Sequence, residues 1–267
     1  MRIHVYTVAW NEEMMMPFFL RHYSRFCEKI VVFDNESTDG TREIVSACPQ
    51  AELRSYATNN QSSERSKMHI RNSAYKESRD RADWVIVCDV DEFLYHPRLL
   101  TQLRYYRWLG VNFPKVRGFD MVPDSAPGPN ENLAARYRFG VSNGRFDKRI
   151  IFSPHLEMQY APGSHSAVRP SGARESLRAD LKLLHYKMLN QEYFVQRNRL
   201  LGARRSEDNV SNNWASHYVI PPEAMREQYK TALANRLSID SWRELPLWHE
   251  GLRWLKRSLL AWYRRLL

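Results

Sequence analysis

The sequence predicts an α/β fold with a mostly parallel sheet and helices on both faces. Over residues 2–88, short β-rich runs alternate with helical stretches in the order β-α-β-α-β-α-β. That order is the mark of strands joined by crossover helices. The last of these runs, residues 84–88, holds no polar residue, as suits a central strand covered on both faces. Polar clusters follow three of the runs: Asn11-Glu12-Glu13, Asp34-Asn35-Glu36-Ser37 and Asp89-Val90-Asp91-Glu92. In parallel sheets ligands bind beyond the carboxyl ends of the strands, so an active site is expected there.

Each element has its own local reason. Residues 2–8 form a short β-rich run. Residues 12–27 carry Met15, Phe18, Phe19 and Phe26 on one side and predict a helix. Residues 29–33 are an apolar run of strand length. Thr38-Asp39-Gly40-Thr41 supplies turn and cap chemistry for a helix over 42–47, and Pro49 stops it. A third strand is expected over 52–57 and a long polar helix over 62–81. Beyond residue 95 the pattern is less regular. Strands are expected near 114–120, 147–152 and 182–184, and a Pro-rich loop over 123–132. Residues 161–165 form a tight loop, and helices are expected near 191–204, 222–234 and 245–267.

Composition excludes several classes. The chain has 267 residues, 43% hydrophobic and 26% charged, which excludes a disordered or low-complexity protein. Cys27, Cys48 and Cys88 are too few and too scattered for a disulfide framework or a zinc cluster. No run approaches about 20 uninterrupted apolar residues, the length needed to span a bilayer. Residues 1–13 do not read as a secretory signal, and the expectation is a cytoplasmic protein. The net charge of +10 would suit nucleic acid, but no groove-reading motif accompanies it and three acidic strand ends oppose it.

The positive charge is uneven. After Glu250 the last seventeen residues hold Arg253, Lys256, Arg257, Arg264 and Arg265 and no acidic residue. Leu252, Leu255, Leu259, Trp262 and Leu266 recur at helical spacing. One reading is a helix lying on an anionic membrane surface, peripheral to the inner face of the membrane. The other is a helix packed on its own domain.

The densest chemistry is Asp89-Val90-Asp91-Glu92, three carboxylates in four residues at the end of a buried strand. They repel one another unless a cation sits among them. Mg2+ or Mn2+ answers that need, because hard ions prefer oxygen ligands and share them with substrate phosphates. An acidic solvated loop is the plain alternative.

These motifs resemble the family 2 type glycosyltransferases of the GT-A fold. The likeness covers residues 3 to about 95 and is closest to the bacterial branch whose metal motif reads Asp-x-Asp-Glu-Phe, here residues 89–93. Phe146-Asp147-Lys148, residues 161–165 and Leu183-Leu184-His185-Tyr186-Lys187 also resemble that branch. The resemblance implies a GT-A domain over 1–205, with a nucleotide-binding half (1–95) and an acceptor half (96–205). A helical C-terminal extension would occupy 206–267. It implies transfer from a nucleotide-sugar donor, a UDP-sugar being favoured, to a saccharide or lipid-linked saccharide, as in bacterial cell-surface polysaccharide or lipopolysaccharide synthesis.

The resemblance also implies roles. Asp34 would accept a hydrogen bond from the nucleobase, with Thr7, Val8 and Asn11 lining the same pocket. Arg71, with Arg65 and Lys67 as competitors, would meet the diphosphate. Asp91 would ligate the metal, Asp89 would ligate it or hold ribose, Val90 lies between them, and His185 or His165 would add a ligand. Lys148, Gly163 and His165 fall on loops facing the acceptor. Asp120, which ends an expected strand near the acceptor side, is the first choice for the catalytic base, ahead of Asp124, Glu157 and Asp147. A sugar-phosphate nucleotidyltransferase would share the carboxylates but needs a Gly-rich loop after the first strand, which residues 9–12 do not form. A non-enzymatic basic scaffold remains if Asp89 and Asp91 bind nothing.

Overall fold

The computed structural model describes residues 1–241. The expected helix over 245–267, with its apolar stripe and terminal cations, lies outside the described residues. In chain order the strands are β1 (Ile3–Ala9), β2 (Lys29–Asp34), β3 (Ala51–Ser55), β4 (Trp84–Val87), β5 (Glu92–Tyr95) and β6 (Val116–Met121). They continue with β7 (Phe139–Ser142), β8 (Ile151–Phe152), β9 (Gln159–Tyr160), β10 (Ala167–Val168), β11 (Leu181–His185) and β12 (Leu237–Ser238).

The expected α/β fold is present. A central sheet has the order β3-β2-β1-β4-β8. β1, β2, β3 and β4 pair in parallel, and β8 closes the edge antiparallel to β4. All four residues of β4 are buried, as its apolar run requires. A second sheet has the order β12-β7-β6-β11-β5. There β11 runs parallel to β6 and antiparallel to β5. This register sets His185 opposite Asp120 on one side and opposite Glu92 on the other. β9 and β10 form a separate hairpin pair.

Two helices are shorter than their sequence patterns. The first spans Met16–Tyr23, because Asn11 adopts φ 48° and Pro17 sets the first turn. The polar helix spans Glu64–Ser73, capped by Ser63 accepting from the Ser66 N–H, and then tightens into a 3-10 turn over Ala74–Ser78. At that break the Ser73 hydroxyl donates to the His69 carbonyl at 2.6 Å. Such back-bonding loosens a helix.

One large core joins the two sheets through Phe19, Tyr23, Phe93, Phe119, Leu183 and Tyr186. A second lies on the other face of the central sheet, around Tyr6, Tyr75 and Phe152. The first part of the extension expected from residue 206 packs on the sheet domain. Asn209 is fully buried; its Oδ1 accepts from the Glu64 N–H at 3.1 Å and its Nδ2 donates to the Ser62 carbonyl at 2.6 Å. Met225, on the helix Pro222–Asn235, is buried with Val122, Met188, Phe194 and Val195. Apolar burial and two backbone-directed bonds therefore join residues 206–241 to the sheet domain. Among the described residues no helix is long and apolar enough to cross a membrane.

Candidate active site

A cavity of about 340 Å³ opens where β1, β4 and β11 end. Val8, Ala9, Trp10 and Glu12 line it after β1; Asp89, Val90 and Asp91 after β4; His185 and Lys187 at the end of β11. Glu64, Lys67 and Arg71 face it from the helix Glu64–Ser73. The helix Gln191–Ala203 and residues 213–218 cover it from the other side.

A line of alternating charges fixes the first acidic residue of the strand end. Lys67 Nζ lies 3.0 Å from Glu64, Glu64 lies 3.8 Å from Arg71, and Arg71 donates to Asp89 Oδ1. Asp89 Oδ2 faces Lys148 Nζ at 3.4 Å, and Lys148 also pairs with Glu92. Lys148 and Glu92 are only 2% and 1% exposed. Burial pushes the Asp89 carboxyl up, but Arg71 and Lys148 outweigh it and hold Asp89 below the usual carboxylate range. Glu64 behaves alike: burial raises it, and Lys67 and Arg71 bring it down to about 2. Asp89, expected as a metal ligand, thus already has a cation on each oxygen. Asp89 pairs with Arg71 and Lys148.

Asp91 is placed differently. Its Oδ2 lies 3.2 Å from His185 Nε2, and His185 Nδ1 donates to Asp120 Oδ1 at 2.9 Å. Burial alone would lower the His185 pKa, but Asp91 and Asp120 push it up to about 9. Asp120 Oδ2 accepts from Asn143 Nδ2 at 2.7 Å. Both Asp120 oxygens are engaged, and Asp120 does not line the cavity. Asp120, expected as the base, stands behind the imidazole, where it accepts from His185 and Asn143.

Among the described residues no three His, Cys, Asp or Glu side chains gather as a ready-made ion cage. The pair Asp91 and His185 nevertheless fits a small hard cation. Two ligand atoms at about 2.1 Å in neighbouring octahedral positions lie about 3 Å apart, close to the 3.2 Å between these two. A carboxylate behind the other ring nitrogen is the usual support of a ligating imidazole. An ion held by two side chains takes its remaining ligands from water and phosphates.

The residues expected around the nucleobase divide. Asp34 is fully buried. Its Oδ2 accepts from Arg42 at 2.8 Å and from the Ser37 N–H at 3.2 Å, while Oδ1 has no partner among the described residues. Its neighbours Asn35 and Tyr56 line the cavity; Asp34 itself lies behind them. Val8 lines the cavity and Thr7 is buried in β1. Asn11 bonds Thr38 through its side chain and Ser37 through its N–H, so it ties two strand ends together and does not face the cavity.

On the second-half loops, Gly163 at φ 74° donates its N–H to Glu64 Oε2 at 2.9 Å. His165 Nδ1 donates to the Arg145 carbonyl at 3.1 Å. Phe146 lies between His165 and His185, with ring centroids 5.2 Å and 4.1 Å away. The weaker base candidates lie elsewhere: Glu157 pairs with Lys76 and Arg79, and Asp147 accepts from the Gly118 N–H. None of Asp124, Asp147 and Glu157 lines the cavity.

Several lining residues were given no individual role by the sequence reading. Glu12 bonds Arg197, and burial pushes its carboxyl up to about 7. Arg197 also donates to the carbonyls of Trp10 and Asn11. The Arg204 guanidinium lies 3.6 Å from the Trp10 ring centroid and bonds Asn35 and Asn60. Arg197 and Arg204 are seven residues apart, hence on one helical face, and that spacing was the available signal.

No family model and no curated protein matches the chain. Among solved structures it is similar to S. aureus TarS residues 1–349 in complex with UDP-GlcNAc, with 16% identity and a TM-score of 0.47. That match covers 76% of this chain and 66% of that one. The structure of TarS 1–349 alone gives 16% identity and a TM-score of 0.44, over 76% and 65% of the two chains. The chain thus spans just under two thirds of the length of TarS 1–349. A further match is glucosyl-3-phosphoglycerate synthase from Mycobacterium tuberculosis in complex with Mn2+, UDP and glucosyl-3-phosphoglycerate. It shows 22% identity and a TM-score of 0.27, over 45% of this chain and 44% of that one.

Proposed function

We propose that this chain is a GT-A glycosyltransferase of the family 2 type. It moves a sugar from a nucleoside diphosphate sugar, a UDP-sugar being favoured, to a hydroxyl of a saccharide or lipid-linked saccharide. The observation that carries the proposal is the pair Asp91 and His185, backed by Asp120, in a cleft that Lys67 and Arg71 also line.

The division of labour follows from the side chains. Arg71 Nη1 is a buried donor with no hydrogen-bond partner among the described residues, and with Lys67 it meets the diphosphate. Asp89 holds Arg71 in place. Asp34 Oδ1, buried and unpartnered, suits a nucleobase N–H once the pocket side chains admit the base. Asp91 and His185 hold Mn2+ or Mg2+, which supplies neutralisation of the charge that develops on the leaving nucleoside diphosphate. Asp120 keeps the His185 ring turned toward Asp91. Such a cleft suits the assembly of bacterial cell-surface polysaccharide or lipopolysaccharide at the inner face of the membrane. A nucleotidyltransferase fits less well, because the loop after β1 carries Trp10 and Glu12 and no glycine.

The test is a screen of nucleotide sugars for hydrolysis with Mn2+, Mg2+ or EDTA. Metal-stimulated release of UDP from a UDP-sugar, lost in Asp91→Asn, is the expected result. Turnover that is unchanged by EDTA and by Asp91→Asn overturns the proposal.

A further inference from the structure

We propose that the acceptor of this enzyme is an anionic saccharide, bearing a phosphate or a carboxylate, and that Lys187 is the residue that recognises its charge. The inference rests on the glycosyltransferase reading and names the substrate class on its second side.

Six lysines and arginines line the cleft, and five have evident engagements. Lys67, Arg71, Lys148 and Arg197 pair with Glu64, Asp89, Glu92 and Glu12. Arg204 stacks on Trp10 and bonds Asn35 and Asn60, at the nucleoside side. Lys187 is the exception. Its ammonium lies 5.7 Å from the Phe146 ring centroid and 5.6 Å from that of Phe194, with no ion pair among the described residues. Ring faces attract a cation but do not replace a counter-ion.

This ammonium and the donor-side cations act on different carboxylates, although Lys148 and Lys187 both lie over the Phe146 ring. The cations that hold Asp89 down are Arg71, Lys148 and Lys67. Lys187 acts instead on Asp120, behind His185, and adds to the burial that pushes His217 down to about 4. Phe146, Phe194 and His217 offer ring faces to the C–H face of a sugar. Among the described residues Lys187 has no carboxylate in ion-pair contact; it acts on Asp120, whose two oxygens already accept from His185 and Asn143. Aromatic faces beside an unpaired ammonium select a sugar that brings the anion with it. A neutral sugar leaves that charge uncompensated.

The test titrates glucose 6-phosphate, glucuronate and glucose into the full chain, with and without saturating UDP and Mn2+, by calorimetry. The wild type is expected to bind at least one of the charged sugars at least tenfold more tightly than glucose, and which one distinguishes phosphate from carboxylate. Lys187→Met is expected to erase that preference while UDP affinity stays within twofold. Lys187→Arg is expected to keep most of the preference. Equal binding of all three sugars, no binding of any, or a preference that survives Lys187→Met overturns the inference. A tenfold loss of UDP affinity in Lys187→Met also overturns it, because the ammonium then serves the donor. Absence of UDP binding in the wild type would instead overturn the nucleotide-sugar reading, while the titrations without UDP still decide the role of Lys187.

Discussion

Lys148→Met should be the most damaging single change at the strand end that does not touch Asp91. Lys148 and Glu92 are both almost wholly buried, and the ammonium pairs with Glu92 and Asp89 together. Burial lowers a lysine pKa, but these two carboxylates outweigh it and hold Lys148 charged. Methionine fills similar space and removes the charge. Asp89 keeps Arg71, so the loss falls mainly on Glu92. Breaking a buried pair by deleting one partner costs about 3–5 kcal/mol, and with Asp89 still paired we expect about 3 kcal/mol. Glu92→Gln in the same chain removes the stranded charge and keeps an oxygen to accept the Asp89 N–H. The double variant should therefore recover about 2 kcal/mol relative to Lys148→Met, and the coupling of the two sites follows once the cost of Glu92→Gln alone is subtracted. Urea unfolding of the wild type, both single variants and the double gives the four free energies. A loss below about 1 kcal/mol in Lys148→Met, or a double variant no more stable than it, refutes the reasoning.

Three further outcomes follow. His22 donates from Nε2 to the Leu94 carbonyl at 2.9 Å, and burial pushes its pKa down to about 4. The unfolded histidine, near 6.5, takes its proton first, so stability is full above pH 6.5 and falls as pH drops toward 4. By pH 5 the loss is about 2 kcal/mol, and His22→Gln should remove that slope in urea midpoints measured from pH 7 to 4.5. Gly118→Ala would drive a methyl into the backbone of Phe146. It should cost about 1–3 kcal/mol and lower the melting temperature; an unchanged melting temperature counts against close approach of that loop. Asp34→Ala should weaken UDP binding by about 1–3 kcal/mol, and an unchanged dissociation constant by calorimetry would dismiss Asp34 as the base acceptor.

The central sheet was legible because its signals are local. Residues 84–87 are apolar without a break, and polar clusters follow β1, β2 and β4 directly. β5 was hidden because it starts within the acidic cluster itself, at Glu92. The second half hid its logic in pairings between distant segments. Asp120 and His185 were each singled out, but only the parallel register of β6 and β11 sets them opposite each other. Asp89 and Asp91 look equivalent in sequence. Arg71 and Lys148, 18 and 59 residues away from Asp89, give it surroundings unlike those of Asp91. Glu12 meets Arg197 across 185 residues, and no local pattern announces such a contact. The extension expected from residue 206 was judged by its lack of motif, whereas burial of Asn209 and Met225 draws its first part into the domain.

The most direct test of the account is UDP binding by calorimetry, with and without Mn2+, to the wild type and to Asp91→Asn. Asparagine keeps the shape of Asp91 and removes its charge. Mn2+ should tighten UDP binding at least tenfold in the wild type and have little effect in Asp91→Asn, while both proteins keep the same melting temperature without metal to within a few degrees. Equal stimulation by Mn2+ in the two proteins, or none in the wild type, would contradict a metal-assisted nucleotide site built on Asp91 and His185.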